Sequence, residues 1–470
     1  MKQRRVISVF MLTMINVATI GSVKNWAVTA EYGFSSVFFF LFAALIFFIP
    51  TSLISAELAT GWPKTGGVFA WVKEAFGHRT GFLAAWLLWV QNIVWYPTAL
   101  SFIAATIAYI FNPELAINNW YTFCTILIVF WAITLVNLRG MRTSGWISSL
   151  GMIFGTFLPG LFIILLGLIW YLSGFPSQIP FTKESFIPNL GSLNQLVLFA
   201  GVLISLAGME MSAVHARDVE HPKKNYPKAI FYSALLILGL SIPGVLSIAI
   251  VVPQQDISLL AGSLQAIAIF LQKYGLNTFM PTFAALIAIG TIASVSTWTV
   301  GPTKALLAAA HVGDLPPLFR RINKNAMPTP LLIFQAIVVS FISLLFIFLP
   351  TLNEAYWILL ALVTELYLIM YLLMFAAAIK LRYKHPDVER PYKIPGKNFG
   401  MWCVAGLGIL SSLFTMIVGI LPPAHIKVTN RGLYTFFMLA GVVIFSLGPT
   451  VILLFQKEEW KNRLDHEHHQ

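Results

Sequence analysis

The chain has 470 residues, 58% of them hydrophobic and only 10% charged, and its mean hydropathy is +0.80. Water-soluble domains carry about 25% charged residues, and no soluble core could hide apolar runs that each approach the ~20 residues needed to cross a bilayer. The net charge of +12 would suggest nucleic acid in a soluble protein. In so apolar a chain it reads instead as enrichment of basic residues on the cytoplasmic side of a membrane, and no nucleic-acid partner is expected.

In chain order, residues 1–5 form a short basic stub without a signal-peptide cleavage site. Apolar spans are then predicted at 7–31, 36–57, 80–111, 118–137, 146–173, 193–215, 227–252, 279–307, 330–350, 353–380, 400–421 and 432–456, twelve in all. The third is long enough to hold a tilted helix and an interfacial piece. Between the second and third, Pro63 and Gly66-Gly67 mark a turn, and Val68 to Phe76 reads as a short amphipathic interfacial helix. Gly151 and Gly155 form a small-xxx-small pair, a sign of close helix packing.

The basic residues test this count. Lys2, Arg4, Arg5, Arg139, Arg142, Arg217, Lys223, Lys224, Arg320, Arg321, Lys324 and the run from Lys380 to Lys397 all fall on alternate loops and the two ends. The other set of loops holds only Lys183, Lys273, Lys427 and Arg431. That asymmetry places both termini in the cytoplasm and predicts a multi-pass protein of an inner-type membrane, in contact with lipid.

Two spans are interrupted. In the first, Gly21-Ser22-Val23-Lys24-Asn25 falls where Leu or Ile would be cheap. A lysine near mid-membrane costs about 2.5–3.5 kcal/mol on insertion scales. Lys24 either faces a cavity opened by a broken helix or snorkels outward. In the sixth span the apolar run is cut at Gly208-Met209-Glu210-Met211-Ser212. Free N–H groups at such breaks can hold a carboxylate. Breaks in spans one and six are what two inverted five-helix repeats require. The expected division is therefore 6–173 and 193–380 for the repeats, 400–456 for two further helices, and 457–470 for a tail. Lys24 and Glu210 carry opposite charges and are candidates to neutralise one another.

Other polar groups lie within spans. Trp89, Gln91, Asn92, Trp95 and Tyr96 cluster in the third span, as cavity wall, gate or membrane-interface belt. Ser294, Ser296, Thr297 and Trp298 centre the eighth, where hydroxyls could ligate sodium or bond the helix backbone. Glu365, in the tenth, is a second intramembrane carboxylate that could take up a proton or orient a neighbouring helix. Cys124 and Cys403 lie in or beside apolar runs and support neither a disulfide framework nor a metal cluster. No cofactor or metal is expected.

These residues resemble the amino acid–polyamine–organocation transporters, most closely the bacterial glutamate:GABA antiporter branch. The likeness runs from about Val6 to Phe455. It is carried by Gly208 to His215 followed by Pro222, Lys223, Tyr226, Pro227, Lys228 and Ala229; by Glu57 to Thr60 with Gly66 to Trp71; and by Arg390 to Pro395. The resemblance implies an all-α, LeuT-like core of ten helices with discontinuous helices 1 and 6, exchanging amino acids by alternating access. It puts the substrate carboxylate and amine at Gly21-Ser22-Val23 and Ala207-Gly208-Met209. The family's first break is glycine-rich; here Val23-Lys24-Asn25 departs from it, which favours acidic, glutamate-like substrates over arginine or polyamines. The fifth span has no lysine in the place where some relatives use one to mimic a proton or sodium. The branch also includes proteins with a C-terminal plug. Here the tail is short, and His466, His468 and His469 either sense pH or form a solvated end.

No HExxH or GxSxG motif is present, so an enzyme is not expected, and the tails are too short for a receptor's appended domain. The function expected is amino acid exchange, with a proton-coupled symporter for neutral or other amino acids as the alternative. The oligomeric state is left open between a monomer and a weak dimer.

Overall fold

The computed structural model describes residues 7–63, 66–140, 151, 153–188, 191, 193–211, 219–421, 431–457 and 460. Expectations for the stub at 1–5, for Arg142, for Ser212 to Arg217 and for the tail histidines lie outside the described residues.

The first predicted span is split as expected. Helix α1 (Val9–Ile20) starts on the Ser8 hydroxyl, which accepts from the Met11 N–H, and ends at Gly21. A short 3₁₀ turn, Val23–Asn25, leads into α2 (Trp26–Ala30). Then follow α3 (Ser35–Gly61), α4 (Val68–Phe76), α5 (His78–Phe111), α6 (Asn119–Asn137) and α7 (Ile153–Leu172). The second half holds α8 (Leu193–Ser205), α9 (Pro222–Ala249), α10 (Gly262–Lys273), α11 (Met280–His311), α12 (Thr329–Phe348), α13 (Leu352–Lys384), α14 (Lys397–Gly419) and α15 (Arg431–Leu454).

Among the described residues, ten helices are long and apolar enough to cross a membrane. The two remaining predicted spans are those predicted to be broken, and each is short or split. Helix α5 is one continuous helix through Pro97, not a helix plus an interfacial piece. Helix α4 has the bounds predicted, but Val68, Phe69, Trp71 and Val72 are buried against α5 and α13. It is a packed element of the bundle, and its amphipathic stripe faces protein. Helix α10 lies where no element was predicted.

Helices α5 and α13 form the centre, each 78% buried over its most apolar stretch, against 11% for α15. Leucines 161, 165, 168 and 172 on α7 stay exposed, as lipid-facing side chains must. Helix α7 meets α11 backbone to backbone. A Cβ on Gly155 would stand 2.1 Å from the Gly290 Cα, and one on Gly151 would stand 2.2 Å from the Ala293 Cβ. The small-residue pair therefore does what its spacing suggests.

One charged cluster is fully enclosed. Glu57 of α3 receives two bonds from Arg382 of α13, from Nε at 2.5 Å and from Nη2 at 2.6 Å, and the Arg390 Nε lies 3.4 Å away. The Ile394 N–H donates to the same carboxylate at 2.8 Å. Arg390 also covers the Trp62 ring at 4.8 Å. The motifs around Glu57 and around Arg390 to Pro395 are thus two halves of one cluster.

Candidate functional site

The two breaks face one another across a cavity of about 70 Å³, several times what one ordered water needs. Ser22, Lys24 and Asn25 line it from the first break and Ala207 from the second. Gln91, Asn92 and Trp95 of α5 and Ser294 and Trp298 of α11 complete the predicted part of the lining.

Lys24 is only 2% exposed, so it does not snorkel. Its ammonium donates to the Thr98 hydroxyl at 3.2 Å. It stands 5.1 Å from the Trp95 ring centroid and 5.6 Å from that of Tyr356, within cation–π range. Among the described residues no carboxylate pairs with it. The proposed neutralisation by Glu210 is therefore not made in this structure. Glu210 is held instead by α13: Tyr371 donates to Oε2 at 2.5 Å, and Tyr367 donates to Oε1.

The second break owes its shape to Gly208, whose φ of +125° only glycine adopts without strain. Its N–H, a candidate carboxylate donor, is taken by the Tyr371 hydroxyl at 2.8 Å. Tyr371 therefore accepts from the break and donates to the carboxylate two residues on.

Several predicted residues lie elsewhere. Val23 is buried; its carbonyl accepts from Ser263 at 2.8 Å, and its side chain faces Gly160 of α7. Gly21 closes α1 by donating to the Val17 carbonyl. Met209 and Glu210 are buried and do not line the cavity. The Tyr96 hydroxyl donates to the Trp298 carbonyl at 3.0 Å, so Tyr96 braces α11 from behind. Glu365 lies on the far side of α13 from the cavity, against Gly419 of α14. Of the hydroxyls considered for sodium, Ser294 lines the cavity, Thr297 bonds the Ala293 carbonyl at 2.9 Å and Ser296 donates to Asn137 at 3.1 Å. No cluster of three or more metal-ligating side chains occurs among the described residues.

The lining also includes Thr19, Ser205, Thr291 and Val363, which composition did not single out. Thr19 and Ser205 each sit two residues before a break residue, and Val363 lies one turn before Tyr367. The usable signal was spacing: Val363, Tyr367 and Tyr371 recur every four residues on one helix face.

A bundle of long apolar helices, with two broken segments meeting at a partly open cavity that sets polar groups among apolar ones, defines an all-α multi-pass membrane protein built around a small polar solute. The chain belongs to the amino acid permease family, which matches residues 5–445, within the amino acid–polyamine–organocation superfamily. It is 45% identical over 446 residues to an uncharacterized transporter of Legionella pneumophila, covering 95% of this chain and 96% of the relative. It is 31% identical to a glutamate/gamma-aminobutyrate antiporter of Lactococcus lactis, covering 100% of this chain and 94% of that protein. An inner membrane transporter of Salmonella typhimurium is 24% identical over 93% of both chains. The protein is a secondary transporter of small polar or charged solutes.

Proposed function

We propose that this transporter exchanges glutamate-like for GABA-like amino acids by alternating access across a bacterial inner membrane, both termini lying in the cytoplasm. Ten long helices and two interrupted segments would make twelve crossings, arranged as two inverted five-helix repeats and a final pair. The observation that carries the substrate is Lys24. It is a buried cation on the wall of the cavity between the breaks, with a hydroxyl and two rings for partners. A desolvated cation without a counter-ion is costly, and an acidic side chain or a carboxylate brought by the substrate supplies the missing charge. A cationic substrate would add a second positive charge. The similarity to a glutamate/gamma-aminobutyrate antiporter supports the same choice.

The test is counterflow in proteoliposomes. Labelled glutamate outside should enter faster when GABA or glutamate is inside, at acidic and at neutral pH, and other acidic amino acids should compete. Absence of saturable glutamate uptake at either pH rejects this substrate class. Uptake that ignores the internal amino acid but follows a proton gradient points to symport.

A further inference from the structure

We infer that Glu365 is a proton-binding site, on the reverse of α13 from the cavity, whose occupancy biases the packing of the helix that holds Glu210. The inference rests on the transport reading above and adds a coupling site to it.

Helix α13 has two working faces. Val363 and Tyr367 line the cavity, and Tyr367 and Tyr371 hold Glu210. At 3.6 residues per turn, residue 365 points about 200° away from residue 367. Glu365 is 1% exposed, and its Oε1 has no hydrogen-bond partner among the described residues. That oxygen rests against α14 at Gly419, where an added Cβ would stand 2.7 Å from it. From α14 the neighbour is Gly419, which does not titrate; Ala200 of α8 packs against the same glycine. From α15 comes Tyr434, within electrostatic reach of Glu365, with Trp357 of α13 beside its hydroxyl. No lysine, arginine or histidine pairs with Glu365 among the described residues.

A carboxyl group in this setting has two different needs. The neutral acid is tolerated in its buried place against Gly419. The carboxylate, one oxygen bare among apolar atoms, is not compensated until a donor or water reaches it. The Tyr434 hydroxyl is the donor at hand. The proton adds to a carboxylate oxygen from water and returns to water on release; no other reactant is needed. The two protonation states thus favour two packings of α13 against α14 and α15, and both sets of residues ride on one rigid helix. A shift on the reverse face moves Tyr367 and Tyr371, and with them the bond to Gly208 that closes the second break.

The experiment uses the purified full-length protein and the Glu365→Gln, Glu365→Asp and Tyr434→Phe variants. Infrared difference spectra between acidic and alkaline buffer should show a protonated-carboxyl band in the wild type that Glu365→Gln lacks. In proteoliposomes, wild-type exchange should change up to about tenfold per pH unit at its steepest, the signature of one linked proton, and the glutamine variant less than about twofold over the same range. Tyr434→Phe should move the midpoint and keep the slope. A glutamine variant with an unchanged band and an unchanged pH profile overturns the inference. If the glutamine variant does not reach the membrane, Glu365→Asp decides: a displaced band midpoint supports the site, and an unmoved one removes it. Wild-type protein that moves no amino acid at any pH removes the transport reading instead, and the infrared band still decides Glu365.

Discussion

Replacing Lys24 with methionine is expected to weaken exchange of acidic amino acids at least tenfold more than exchange of neutral ones. Methionine keeps an unbranched chain that fills the same space, so the loss isolates the charge. The ammonium is buried and aimed by Thr98, Trp95 and Tyr356. A hydrogen bond to a charged group contributes roughly 1.5–3 kcal/mol, and each 1.4 kcal/mol is about tenfold in affinity. The expected partner is the side-chain carboxylate, which a neutral amino acid lacks, so a neutral substrate forfeits no bond of that kind. The measurement is the ratio of half-saturation constants for glutamate and a neutral amino acid in counterflow, wild type against variant. Equal losses for both classes would assign Lys24 to packing and leave the acidic substrate without its support.

Changing Glu57 to glutamine is expected to have the largest effect on stability, because it strands two cations. Glu57, Arg382 and Arg390 are 1%, 4% and 8% exposed. Burial already pulls the Arg390 guanidinium below its ordinary range; Glu57 opposes that shift and the Arg382 charge adds to it. Without the carboxylate, two guanidiniums face each other out of water. Breaking a buried pair from one side costs about 3–5 kcal/mol. The variant should unfold at a clearly lower temperature in detergent or fail to accumulate in the membrane. A Glu57→Leu, Arg382→Leu double variant should recover part of the loss, since it removes a cation with the anion. An unchanged unfolding temperature for Glu57→Gln would show that water reaches the cluster.

Much of this architecture was legible in the residues. The breaks were readable because Gly21, Ser22, Lys24, Gly208 and Glu210 are costly at membrane depth, and cost is visible residue by residue. The bounds of α4 followed from the Gly66-Gly67 turn before it and the amphipathic run from Val68 to Phe76. Direction was not legible. Val23 and Lys24 are neighbours, yet one packs toward α7 and the other lies at the cavity, which only the 3₁₀ turn decides. Glu365 was recognisable as intramembrane but not as lying behind the helix, because α13 is buried on nearly every side and has no polar face to orient it. Tyr371 was missed for the same reason: a tyrosine among apolar neighbours carries no mark until Glu210 is brought opposite. Helix α10 escaped notice because its 12 residues, in the connection between α9 and α11, are too few to read as a span.

The contact between Gly155 and Gly290 has a consequence for how this protein can change over time. At most interior positions a poor substitution can be rescued by shrinking the residue opposite. Here both partners are already the smallest residue there is. A methyl on Gly155 meets the Gly290 Cα at 2.1 Å, and one on Gly290 meets the Gly155 backbone at 2.5 Å. Neither position can mutate first, and neither can compensate for the other. The pair is a dead end for stepwise variation, open only to changes that move a whole helix.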